Sequence, residues 1–123
     1  MEEAAVRFGL TKEEAVSAYE ELSQRHAFFL KSGTHNILMA NPFSAVETPF
    51  KVNANGKTYF ANCAWDSLGI PATLHSDAEI EAVCSQSGQL IQLSIKDAKV
   101  SASDALVHFL VPFHAWYNDL VFT

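Results

Sequence analysis

From Thr11 onward, apolar side chains recur at helical spacing. Ala15, Tyr19 and Leu22 stand at i, i+4 and i+7, and Val16 widens the stripe. Glu13, Ser17, Glu20 and Gln24 fall on the opposite face. Thr11 can cap this helix, and Glu14 can reach back to complete a capping box. The period then changes. Two short apolar runs in "AFFLKSGTHNILMANPF" flank Ser32-Gly33-Thr34 and predict a hairpin.

"NPFSAVETPF" has two prolines and little periodicity, which predicts a loop. In "PFKVNANGKTYFA", Asn55-Gly56 is a favoured two-residue turn. Pairing about it sets Val52 opposite Tyr59 and Phe50 opposite Ala61, giving an apolar face. Next, Asn62 can cap a short helix over 63–68, with Gly69 closing it and Pro71 preventing resumption. A second hairpin follows. Ile80, Ala82 and Cys84 alternate on one strand, and Ile91, Leu93 and Ile95 on the other. The last stretch, "ALVHFLVPFHAWYNDLVFT", is strand-like at first and aromatic-rich at its end. These elements predict an α+β fold with a small mixed or antiparallel sheet, short helices, and no internal repeat.

At 123 residues, nearly half of them apolar and with nine Phe, the chain has the size and core material of one folded unit. A formal net charge of −6 with only eight Lys and Arg excludes a basic nucleic-acid stripe and argues against an anionic membrane surface. No apolar run approaches membrane-spanning length, and the acidic start lacks a hydrophobic signal core. A cytoplasmic protein whose two cysteines are free thiols is the expectation.

Chemistry concentrates in "YFANCAWDSLGIP". A cysteine at a helix start sees unpaired N–H groups and the positive end of the dipole, which favour thiolate. Asp66, three residues on, shares its face and works the other way, so Cys63 and Asp66 tend to share a proton. Such a pair can serve as nucleophile and proton shuttle. The bland alternative is a small buried cysteine in a short helix. Cys84 is expected to pack. The five histidines are scattered, with His108 and His114 flanking Pro112, and no spacing suits structural zinc. Trp65, Trp116 and Tyr117 either wall an apolar pocket or fill the core.

"NPFSAVETPFKV", "YFANCAWDSLGIP", "CSQSGQLIQLSI" and "HFLVPFHAWYNDLVFT", in this order, resemble the organomercurial lyase (alkylmercury lyase) family. The resemblance covers about 41–123, which it marks as a catalytic core. Residues 1–40 are similar to a truncated form of that family's winged helix, retaining a helix and a hairpin. The resemblance implies protonolysis of carbon–mercury bonds without a bound cofactor, using two cysteines and an aspartate. Cys63 and Asp66 match the first cysteine and the aspartate. Cys63 would then hold the soft metal transiently. From the residues themselves, Trp65, His108, Phe109 and Trp116 are expected to line a substrate pocket.

The chain departs from that pattern at the second catalytic cysteine. Its place falls in Ser101–Leu106, which has no thiol, and Asp104 there is a hard oxygen donor. Cys84 matches a separate, non-catalytic position. An external thiol such as glutathione would have to stand in. Two alternatives accompany lyase chemistry on a small organomercurial. One is a diverged relative using Cys63 and Asp66 for proton transfer or covalent catalysis on a hydrophobic organic substrate. The other is a non-catalytic soft-metal or organometal binding protein. The short N-terminal part suggests a homodimer or partner subunit covering the missing surface.

Overall fold

The computed structural model describes residues 1–118. Residues 119–123, the end of the expected catalytic core, and the Tyr117 side chain, one of the expected pocket walls, lie outside the described residues. Two helices open the chain, α1 (Glu2–Phe8) and α2 (Lys12–Gln24). α1 was not foreseen, being only seven residues long. α2 starts where the pattern places it. The Thr11 hydroxyl accepts from Glu14 N at 3.2 Å, and Glu14 Oε2 accepts from Thr11 N at 2.8 Å. Those bonds pull the Glu14 carboxyl below its ordinary value. Ala15 is buried against α1, but Leu22, at the end of the predicted stripe, is exposed.

Eight strands form one sheet: β1 (Phe29–Leu30), β2 (Ile37–Ala40), β3 (Phe43–Ser44), β4 (Phe50–Ala54), β5 (Lys57–Ala61), β6 (Ala78–Val83), β7 (Leu90–Lys96) and β8 (Lys99–Val100). Their order is β1-β2-β3-β5-β4-β6-β7-β8, with every pairing antiparallel. The Asn55-Gly56 turn forms with φ of 51° and 71°, the left-handed pair that such a hairpin requires. It sets Val52 opposite Tyr59 as expected, and the ladder closes at Lys51–Phe60, one pair short of Phe50–Ala61.

Three predicted elements are corrected. The stretch read as a loop contains β3, which joins the N-terminal hairpin to the central strands. A two-residue strand between prolines leaves no periodic signal. The helix after Asn62, α3, runs from Ala64 to Leu74, through Gly69 and Pro71, and ends at His75 in the left-handed region. Pro71 forfeits one backbone bond, to the Ser67 carbonyl, but is itself buried in the helix's inner face. The strand-like run after Ser101 forms no strand. The Ser101 hydroxyl accepts from Ser94 N at 3.0 Å, consuming the donor that a continuing ladder would use. The chain then leaves the sheet with Leu106 92% exposed, and a 3-10 helix, Phe113–Asn118, follows.

The core lies between α3 and β4, β5 and β6. Ile70 is fully buried against Val52, Ile80 and Ile95, with Ala54, Ala61 and Ala78 among them. Three alanines on the strands let α3 sit close to the sheet. Among the described residues no helix is long and apolar enough to cross a membrane.

Candidate active site

α3 begins where β5 ends, so its first turn lies at one end of the sheet. Cys63, not Asn62, is the N-cap. Its backbone is extended, and its sulfur accepts the Asp66 N–H at 3.5 Å. The Cys63 thiol donates in turn to Asp66 Oδ2 at 3.4 Å. The sulfur caps the helix as a hydroxyl would, while the carboxylate turns to the thiol rather than to the Cys63 backbone N–H. Spacing of three residues thus does bring the two groups into contact.

Their environment favours the protonated form of each relative to the free group. Burial pushes the Cys63 thiol above its ordinary value, and the Asp66 carboxylate adds to the push. The Asp66 N–H opposes it. Burial also raises the Asp66 carboxyl, against hydrogen bonds from the Cys63 thiol and the Asn62 side chain. The helix start therefore does not win. Desolvation and the neighbouring carboxylate outweigh the dipole, and Cys63 at neutral pH is a thiol.

Cys63 and Asp66 open onto a cavity of about 180 Å³. Its aromatic side comprises Phe29, Trp65, Phe109, Phe113 and Trp116. Trp116 stacks on Phe109 at 4.9 Å and meets Phe113 edge-on at 5.0 Å, and its Nε1 donates to Val111 O at 3.0 Å. The remaining lining is Met39, Asn41 and Asn62. Asn62 Nδ2 donates to Asn41 Oδ1 at 2.8 Å, tying the β2–β3 turn to the start of α3.

Of the expected pocket residues, the structure brings Trp65, Phe109 and Trp116 together with Cys63 and Asp66. His108 is exposed and not part of the lining, because the chain around it is irregular and alternate residues do not share a face. Phe29, Met39, Asn41, Asn62 and Phe113 were not anticipated. Phe29 and Met39 form a cross-strand pair, so they share a face. What the pattern lacked was β3, which carries that hairpin to the site.

Cys84 lies elsewhere, one residue beyond β6. It is half-buried in the β6–β7 turn rather than packed inward, because its backbone closes that turn to Gln89 and Gly88. The Ser87 side chain, helped by backbone N–H groups of Ser87 and Gln86, pulls its thiol below the ordinary value. A larger open groove of about 430 Å³ at the far end of the β4–β5 hairpin contains no thiol. Among the described residues no three of His, Cys, Asp or Glu are grouped to hold a metal ion.

The sequence model of the family described as alkylmercury lyase, MerB, matches residues 43–122. An alkylmercury lyase of Bacillus cereus is 31% identical over 70 residues, covering 54% of this chain and 32% of its own length. One from Clostridium butyricum matches with the same figures. The chain thus spans about a third of the length of these curated relatives. A solved structure, the mercury-bound form of MerB2, superposes with a TM-score of 0.69 at 22% identity, covering 84% of this chain and 50% of the other. That likeness concerns the fold. With the family match running from β3 through the Cys63 helix to the C-terminal aromatics, the chain belongs to the alkylmercury lyase family.

Proposed function

We propose that this protein cleaves carbon–mercury bonds by protonolysis, with Cys63 as metal ligand, Asp66 as proton carrier and an external thiol completing the site. The observation that carries the reading is the Cys63 Sγ to Asp66 Oδ2 contact of 3.4 Å, opening onto an aromatic-walled cavity. Mercury is soft and replaces a thiol proton readily. An organomercurial thiolate, R–Hg–SR′, enters with its organic group against Trp65, Phe109 and Trp116. The Cys63 sulfur bonds to mercury as its proton passes to Asp66. Asp66 then protonates the carbon as the carbon–mercury bond breaks. The products are R–H and Cys63–S–Hg–SR′. A second R′SH returns the proton to Cys63 and removes mercury as Hg(SR′)₂.

A carboxyl whose pKa is raised by burial suits this relay, since it takes up a proton more readily than a free carboxylate does. A reducing cytoplasm supplies the thiol. In this reading residues 41–123 form the catalytic core. Residues 1–40 are a winged-helix remnant whose hairpin supplies Phe29 and Met39 to the wall. Methylmercury with excess glutathione should yield methane and inorganic mercury, and a Cys63→Ser control should not. Equal release from both proteins would sink the proposal.

A second reading is a stoichiometric organomercurial binder. It is favoured by the protein's thiol count: the chain's only other cysteine, Cys84, is outside the cavity. Uptake of one equivalent at Cys63 with no hydrocarbon released, at any thiol concentration, would select it.

A further inference from the structure

The Cys63 cavity contains a second sulfur. Met39 lines it from β2, beside its cross-strand partner Phe29. The chain has only two methionines, Met1 and Met39, and only two cysteines. Cys63 and Met39 are therefore the only sulfur side chains in the lining. Both line one cavity of about 180 Å³. A thioether is a soft, neutral donor that suits soft metal ions.

We propose that Met39 is a second protein ligand for a soft metal ion held by Cys63. The inference rests on the reading of Cys63 as a soft-metal ligand and adds to it the donor that the chain lacks as a second thiol. A thioether has no proton to lose, so no bond to Met39 breaks and no proton moves. Its sulfur lone pair enters the coordination of a mercuric ion whose charge is already partly met by the Cys63 thiolate. Being uncharged, it holds the ion less firmly than a thiolate would. Met39 would thus orient the metal in the cavity yet yield it to an incoming thiol.

The β strand supports this placement. β2 is held by β1 on one side and β3 on the other, so the Met39 backbone is fixed between two ladders. The unbranched side chain is adaptable and can bring its sulfur to an ion without moving that backbone.

Two methionines make the test direct. Full-length protein with Cys84→Ser, leaving Cys63 as the one thiol, is labelled on its methionine methyl groups. It is titrated with mercuric ion in thiol-free buffer. The Met39 signal, assigned by Met39→Leu, should shift as Cys63 is consumed, while the Met1 signal stays. Mercury-edge X-ray absorption should count two protein sulfurs, falling to one in Met39→Leu. That variant should also surrender mercury at about tenfold lower competing thiol. If Cys63 takes up mercury while the Met39 signal and a sulfur count of one do not change, Met39 is not a ligand and the role of Cys63 stands. If Cys63 takes up no mercury, both fail. Native Met39 is read directly, so the result does not depend on how well Met39→Leu folds.

Discussion

At the scale of residues, the two cysteines are tuned in opposite directions. Cys63 is raised by burial and by the Asp66 carboxylate, whereas Cys84 is lowered by the Ser87 side chain. Since thiolate is the species that reacts, iodoacetamide at neutral pH should label Cys84 first. Labelling of Cys63 should accelerate only as pH climbs through and beyond the ordinary thiol range. Peptide mapping over a pH series measures both rates, and faster labelling of Cys63 at pH 7 would contradict the burial argument. Asp66→Asn separates chemistry from stability. It should reduce hydrocarbon release by about 100-fold or more, the usual yield of a positioned proton donor, while leaving mercury uptake by Cys63 intact. The carboxyl is raised in the folded state, so ionising it opposes folding. That penalty is absent below the ordinary carboxyl pKa and develops as pH rises through it towards the raised value. Asp66→Asn should therefore melt higher than the native protein at pH 7. The difference should vanish as pH falls below the ordinary carboxyl range, and a lower Tm at pH 7 would refute this.

At the scale of elements, α3 decides the site because it bears Cys63 and Asp66 and docks through Ile70. Ile70→Ala removes a fully buried side chain from the α3–sheet contact and should cost about 2–5 kcal/mol by chemical denaturation. Gly69 is more discriminating. An alanine in a helix interior normally gains about 1 kcal/mol over glycine. Here its Cβ would sit 3.2 Å from Pro42 Cβ, and a proline ring in the β2–β3 turn cannot rotate aside. Gly69→Ala should thus give no gain, with Tm unchanged or lower. A gain near the full 1 kcal/mol would show that the turn yields freely. The same glycine shows where reading the sequence stopped. Capping at Thr11, the Asn55-Gly56 hairpin and the β6–β7 alternation are local and were legible. So was the Cys63–Asp66 contact, which one helical turn dictates. Gly69 and Pro71 look like a helix stop, because only the packed structure shows a neighbour that needs glycine's missing Cβ. Met39 and Asn41 were illegible for a related reason. They reach the site through β3, two residues with no periodic signature.

At the scale of the whole molecule, the cavity is assembled from three distant stretches. The N-terminal hairpin and its turn give Phe29, Met39 and Asn41, the start of α3 gives Asn62, Cys63, Trp65 and Asp66, and the C-terminal segment gives Phe109, Phe113 and Trp116. None of the three C-terminal aromatics belongs to the buried core cluster. Phe113 is 65% exposed, and the stacking of Trp116 on Phe109 and its edge contact with Phe113 join this segment together over the site. Wall and core are thus separable, which sets apart substrate binding from folding. Trp116→Ala removes ring contacts to Phe109 and Phe113 that lie outside the buried core cluster, and should lower Tm much less than Ile70→Ala does. It should also raise KM for an arylmercurial about tenfold, corresponding to about 1.4 kcal/mol. Methylmercury, with no ring to place against the wall, should lose less. If both substrates lose affinity equally, the aromatics act by shaping the Cys63–Asp66 pair rather than by holding the organic group. If Tm collapses, the C-terminal segment is part of the core after all.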